Sequence, residues 1–179
     1  MNQNENEKKI SALVSSDKKL EILISELLGN SVARTDISIQ GSPEQIKDKY
    51  GLCYIDPSVI QSSSNPPMTE PFLEDDFGWV VGFSFSLPFI ICLIAGIFII
   101  GDINSTRDNL VYGFLGALIG SLLGLFLSTL IRKRHRQKIK KQEAKGGFLI
   151  WINTHTSKQY KQVINILFKN DASNIKTSP

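Results

Sequence analysis

The side chains that most often carry out catalysis or bind metals are sparse in this sequence. Its 179 residues include two histidines, His135 in a basic run and His155 near the start of an amphipathic segment, and neither has an evident acidic or cysteine partner. Cys53 and Cys92 are too few for a disulfide framework or a zinc site. Gly146-Gly147 is too short for a nucleotide-binding loop. We therefore predict that the chain is not an enzyme and has no catalytic residues, metal site or cofactor.

The most pronounced charged feature is a basic run within residues 132–145. Three interpretations of this run stand. It can fix the orientation of a membrane protein, bind the anionic headgroups of a lipid bilayer, or pair with the acidic residues within 70–76. Because the run has no interleaved aromatic residues, we do not expect it to bind nucleic acid. Its basic residues are Arg132, Lys133, Arg134, Arg136, Lys138, Lys140, Lys141 and Lys145.

The elements that position this run are two apolar segments, residues 79–100 and 110–131. Neither contains aspartate, glutamate, lysine, arginine or histidine. A helix needs about 20 apolar residues to cross a bilayer, because backbone amides in hydrocarbon must find partners within their own helix. The connection, residues 101–109, is polar and contains Asp102 and Arg107. We predict a transmembrane hairpin over residues 79–131.

The distribution of lysine and arginine predicts the orientation of the hairpin. Eight basic residues follow the second apolar segment, whereas the connection has Arg107 alone. Loops rich in lysine and arginine stay in the cytoplasm, and a hairpin returns to the side from which it enters. Both termini are therefore predicted to be cytoplasmic. Residues 1–9 are polar, so we predict that they are disordered and do not form a secretory signal.

Small residues follow one face of the second apolar segment. In lipid, a Gly-x-x-x-Gly spacing lets two helices approach closely. Two interpretations remain open: the glycines pack the two helices of one hairpin together, or they join separate copies into a homo-oligomer or another membrane protein complex. The predicted helix-packing residues are Gly113, Gly116, Gly120 and Gly124, with a shorter match at Gly78 and Gly82.

The polar flanks each predict a β-α-β unit. In residues 10–55 a short strand, an amphipathic helix and an alternating strand follow one another, and residues 146–177 repeat the order, with Thr156 and Gln159 at capping-box spacing. Either unit alone would bury too little apolar surface. We therefore predict one α+β domain with a split ferredoxin-like (βαβ–βαβ) arrangement, in which two helices cover one face of four strands. Residues 56–78, rich in serine and proline, are predicted to be a linker.

The order of these parts resembles the bacterial general stress and low-temperature-induced membrane protein group, in which two β-α-β halves flank a glycine-rich hydrophobic segment. The resemblance covers most of the chain and is carried by Leu13-Val14-Ser15-Ser16, Thr35-Asp36-Ile37-Ser38-Ile39 and Lys145-Gly146-Gly147-Phe148-Leu149-Ile150. It implies a protein of the bacterial inner (plasma) membrane with a regulatory or protective role. We therefore expect a cytoplasmic binding or regulatory module on a membrane hairpin. The alternative is a structural oligomer formed through glycine packing.

Overall fold

A computed structural model of the chain describes residues 8–30, 32–71, 74–101 and 105–178. The disorder predicted for residues 1–9 falls outside this part, apart from Lys8 and Lys9, which belong to a strand. The chain divides into two compact units near residues 72–73 and 137–138. We call the described residues up to 71 and from 138 onward the α+β unit. The described residues from 74 to 137 are the hairpin unit.

The secondary structure confirms the predicted α+β class. Strands β1 to β5 form one antiparallel sheet in the order β3-β2-β4-β1-β5. The strands are Lys8–Val14, Ile37–Gln40, Met68–Thr69, Phe148–Thr154 and Ser173–Ser178. Helices α1 to α6 are Asp17–Gly29, Pro43–Tyr50, Pro57–Gln61, Glu74–Ala95, Thr106–Glu143 and Ser157–Lys169. A π-helical turn, Gly96–Ile100, follows α4.

The pairing of the strands interlocks the two polar flanks of the sequence. Strands β1 and β2 both run antiparallel to β4, which lies between them. Strands β4 and β5 in turn both run antiparallel to β1. Each β-α-β segment therefore contributes two parallel strands that are separated by a strand of the other segment, so neither half of the sheet is complete without the other.

Short polar side chains fix the starts of the helices. The Ser16 hydroxyl accepts a hydrogen bond from the Lys19 backbone N–H at the start of α1, and Thr156 does the same for the Gln159 N–H at the start of α6. These bonds satisfy backbone N–H groups that have no partner within the helix. The predicted cap at Thr156 is confirmed, and Ser16 has the same role in α1.

One face of the sheet packs against α1 and α6. Residues directly opposite on paired strands share a face, and the pairs Ile10–Ile152 and Ala12–Ile150 place four buried side chains together. Helices α1 and α6 contact each other and these strands. Outside the core, Lys169 and Asn170 donate hydrogen bonds to Glu26, which hold the pKa of its carboxyl below the ordinary value.

The other face of the sheet is also covered, which differs from the predicted arrangement with helices on one face. Leu13, Leu149 and Trp151 on β1 and β4 form a buried cluster with Ile46 of α2 and Ile60 of α3. Both short helices begin at a proline that follows a capping residue. Helix α3 and strand β3 lie within residues 56–78, where the composition indicates a linker. The second layer therefore comes from α2 and from the segment 56–78, which contains buried apolar residues among its serines and prolines.

Candidate membrane interaction site

Helices α4 and α5 are the apolar elements of the hairpin unit. The helical stretches Phe77–Ile100 and Thr106–Glu143 are long and apolar enough to cross a membrane, by length and composition. In the most apolar 18 residues of each stretch, only 6% are buried in the first stretch and 17% in the second. A helix in the core of a soluble protein would be mostly buried. Large side chains such as Ile99 and Leu122 instead point outward, 80% and 68% exposed. This distribution fits a lipid solvent.

The glycines of α5 face the first helix of the same hairpin. A Cβ atom added to Gly116 would lie 2.2 Å from the carbonyl oxygen of Cys92, and one added to Gly120 would lie 2.7 Å from the Cα of Phe89. Such distances are shorter than van der Waals contact, so only glycine fits without a shift of the backbone. A Cβ atom added to Gly124 would lie 2.6 Å from the backbone carbonyl oxygen of Phe85. One added to Gly113 would lie 2.8 Å from Cγ1 of Ile97, a side-chain atom.

We call the contact surface between the two helices of the hairpin the seam. The seam includes residues other than the predicted glycines. The Ser128 hydroxyl, buried in the seam, donates a hydrogen bond of 3.4 Å to the carbonyl oxygen of Val81. From the first helix, Gly96 approaches α5 so closely that an added Cβ would lie 2.2 Å from the Tyr112 carbonyl oxygen. In contrast, nothing lies within 4 Å of the corresponding position on Gly78 or Gly82. The structure therefore does not bring these two glycines into the seam.

The basic run separates into two parts by its contacts. All eight basic side chains are exposed. In the α+β unit, Lys138 Nζ lies 3.0 Å from Glu44 Oε1 and lowers the pKa of that carboxyl, and Lys141 Nζ lies 5.8 Å from the centre of the Tyr54 ring. Arg132, Lys133, Arg134 and Arg136 form no ion pair with the described residues. Of the predicted acidic partners within 70–76, Glu70 forms no ion pair with the described residues, and the side chains at 74–76 lie outside the described part.

The last turn of α5 contains a buried polar residue that sequence reasoning missed. Gln142 is 4% exposed, and its amide nitrogen donates hydrogen bonds to the carbonyl oxygens of Gly147 and Ile55 at 2.7 and 3.2 Å. The neighbouring Glu143 accepts a hydrogen bond from the Asp17 backbone N–H. Gly147 has φ +98°, and an added Cβ would lie 2.1 Å from the Val14 carbonyl oxygen. The glycine pair is therefore the turn that leads from α5 into β4.

The two histidines occupy different environments. The His135 ring stacks on Phe77, with 4.4 Å between the ring centres, in the hairpin unit. The Nε2 atom of His155 lies 3.0 Å from Asp36 Oδ1, so the expectation that His155 lacks an acidic partner is wrong. Asp36 is 119 residues away in sequence, and no local pattern could indicate this contact. Among the described residues, no group of three or more His, Cys, Asp or Glu side chains could hold a metal ion.

Comparison with known proteins adds no relative. No family model, curated protein or solved structure matches the chain. The class of the protein therefore follows from its own structure: the described residues form an α+β protein with a five-stranded antiparallel sheet and two helices that are long and apolar enough to cross a membrane.

Proposed function

We propose that this chain is a two-pass integral membrane protein whose α+β unit is a cytoplasmic binding or regulatory module without catalytic activity. The observation that carries the proposal is the outward-facing apolar surface of two helices that already pack against each other through glycine. Such a surface is costly in water and is satisfied by lipid. The excess of basic residues after Ile131, where the apolar part of α5 ends, supports cytoplasmic termini.

We further propose that the module is a split ferredoxin-like domain into which the hairpin is inserted. The support is the order β2-β4-β1-β5 of four of its strands, with α1 and α6 crossing on one face. In this arrangement the hairpin must return to its side of entry, because β1 and β4 are adjacent in the sheet although they lie on opposite sides of the hairpin in sequence. The placement in a bacterial inner membrane and the stress-related role rest on the resemblance alone.

The alternative function, an oligomer assembled through the glycine face of α5, lacks a free surface. Gly116, Gly120 and Gly124 contact the first helix of the same chain. A second copy could reach this face only if it displaced that helix. We therefore favour the binding module over the structural oligomer.

The binding role is tested by crosslinking the full chain in cells and comparing the wild type with Ile60→Ala, which weakens the α+β core, and with its neighbour Val59→Ala. At a temperature that unfolds only the Ile60→Ala unit, we expect crosslinked partners with the wild type and Val59→Ala and a severalfold loss with Ile60→Ala. All three proteins should remain in the membrane fraction. Equal recovery of partners by Ile60→Ala in its unfolded state would contradict a role of the folded module.

A further inference from the structure

The basic run is not uniform in composition along α5. Its first four basic residues, Arg132, Lys133, Arg134 and Arg136, include three arginines, whereas Lys138, Lys140, Lys141 and Lys145 are all lysines. We call the first four residues the collar. Between 132 and 136 there is no acidic residue, so the collar has a formal charge of +4 from four basic side chains and no acidic one.

The collar lies at the end of the apolar part of α5. It begins directly after Ile131, and at about 1.5 Å per residue it extends about 6 Å along the helix. The polar headgroup layer on each side of a bilayer is about 5–7 Å thick. The stack of His135 on Phe77 places the first turn of the other membrane-crossing stretch at the same level. If the hairpin spans the bilayer, the collar lies among the headgroups.

The collar side chains are available to a ligand, whereas two of the four later lysines have partners within the α+β unit. All four are exposed and form no ion pair with the described residues. Lys138 and Lys141 instead contact Glu44 and Tyr54 within the α+β unit. Three of the four collar residues are arginines. Lys140 and Lys145 also form no ion pair with the described residues, but they lie further along the chain.

Arginine presents a planar fork of N–H donors that matches the oxygens of a phosphate group, whereas lysine acts as a point charge. We propose that the collar binds the phosphates of anionic phospholipids in the leaflet on the side of the two termini. This inference rests on the proposed membrane function and names a ligand for it. The collar is then a lipid-binding site in addition to a signal for orientation.

The test uses the full chain in phosphatidylcholine vesicles that contain spin-labelled phosphatidylglycerol, with the motionally restricted lipid fraction measured by electron paramagnetic resonance. Each basic residue near an anionic membrane surface raises the affinity for that surface by a factor of about five. We expect Arg132→Gln/Arg134→Gln/Arg136→Gln to weaken the preference for phosphatidylglycerol at least about tenfold. The matching Arg→Lys variant should lose less, because it keeps the charge but not the fork. The control, Lys18→Gln/Lys158→Gln/Lys161→Gln, removes three exposed charges from the α+β unit and should behave as the wild type.

Two outcomes would overturn the collar proposal. One is an unchanged lipid preference in the Arg→Gln variant, which is also the result if acidic side chains at 74–76 neutralise the collar. The other is release of the labelled lipid from the wild type by an equimolar DNA duplex, which would assign the collar to nucleic acid. Sedimentation of the same vesicles separates these results from failure of the membrane function itself: if the wild type does not stay with the vesicles, the proposed function fails as well.

Discussion

Replacing Gly116 with alanine is expected to destabilise the hairpin by about 1–3 kcal/mol, the usual cost of inserting atoms into a packed interior. The new Cβ would lie 2.2 Å from the Cys92 carbonyl oxygen and 2.9 Å from its carbonyl carbon. Both atoms belong to the backbone, so no side-chain rotation relieves the clash and the two helices must separate. Unfolding in mixed micelles of mild detergent and dodecyl sulfate, followed by energy transfer between dyes on the two helices, measures this loss.

Gly82→Ala is the matched control in the same hairpin. It makes the same chemical change in a helix, but nothing lies within 4 Å of the new methyl group. Its expected stability is that of the wild type or slightly higher, because alanine is favoured over glycine in helices. If the two variants unfold at the same dodecyl sulfate concentration, the glycine seam does not hold the helices together.

Replacing Ile60 with alanine is expected to cost the α+β unit about 2–5 kcal/mol, the range for deleting a buried isoleucine side chain. Ile60 is fully buried and packs with Leu149 and Trp151. The loss would be a large fraction of the stability of a small domain, which is about 5–15 kcal/mol. Urea unfolding in detergent, followed by Trp151 fluorescence in a Trp79→Phe background, reports this cluster directly.

The adjacent residue again offers a control. Val59 is 51% exposed on the same short helix, and Val59→Ala should change the stability by no more than about 0.5 kcal/mol. Similar urea midpoints for Ile60→Ala and Val59→Ala would mean that α3 contributes no core, and that residues 56–66 behave as the linker that their composition indicates.

Local periodicity was sufficient to predict the elements that repeat one pattern over many residues. Leu20, Leu23, Ile24 and Leu27 recur at helical spacing and are all buried in α1. In α6 the same reasoning is partly wrong. The predicted apolar face is Tyr160, Val163, Ile164, Leu167 and Phe168. The buried residues are Val163, Ile166 and Leu167, and Phe168 is 67% exposed. The buried residues of α6 still follow helical spacing at i, i+3 and i+4, but the apolar residues extend around more of the helix than the buried face, so spacing alone does not locate the centre of that face.

Contacts between residues distant in sequence could not be predicted. The second layer of the sheet depends on Ile46 and Ile60, single buried residues in short helices that have no periodic pattern to reveal them. Gln142 resembles any other polar residue of a charged helix until its partners Ile55 and Gly147 are known. For the glycines, the sequence predicted close packing of a helix, but the identity of that helix came from the structure.

The proposed function requires that the chain crosses the membrane twice and returns to the same side. Single cysteines at Lys18, Thr106 and Lys176, in a background without Cys53 and Cys92, place a reactive thiol in each polar part of the chain. In intact cells, a membrane-impermeant maleimide should label only the cysteine at position 106, and the other two should react only after the membrane is opened. Two results would exclude a hairpin with cytoplasmic flanks. One is labelling of position 18 or 176 from outside with position 106 protected. The other is reaction of the two flanks from opposite sides of the membrane.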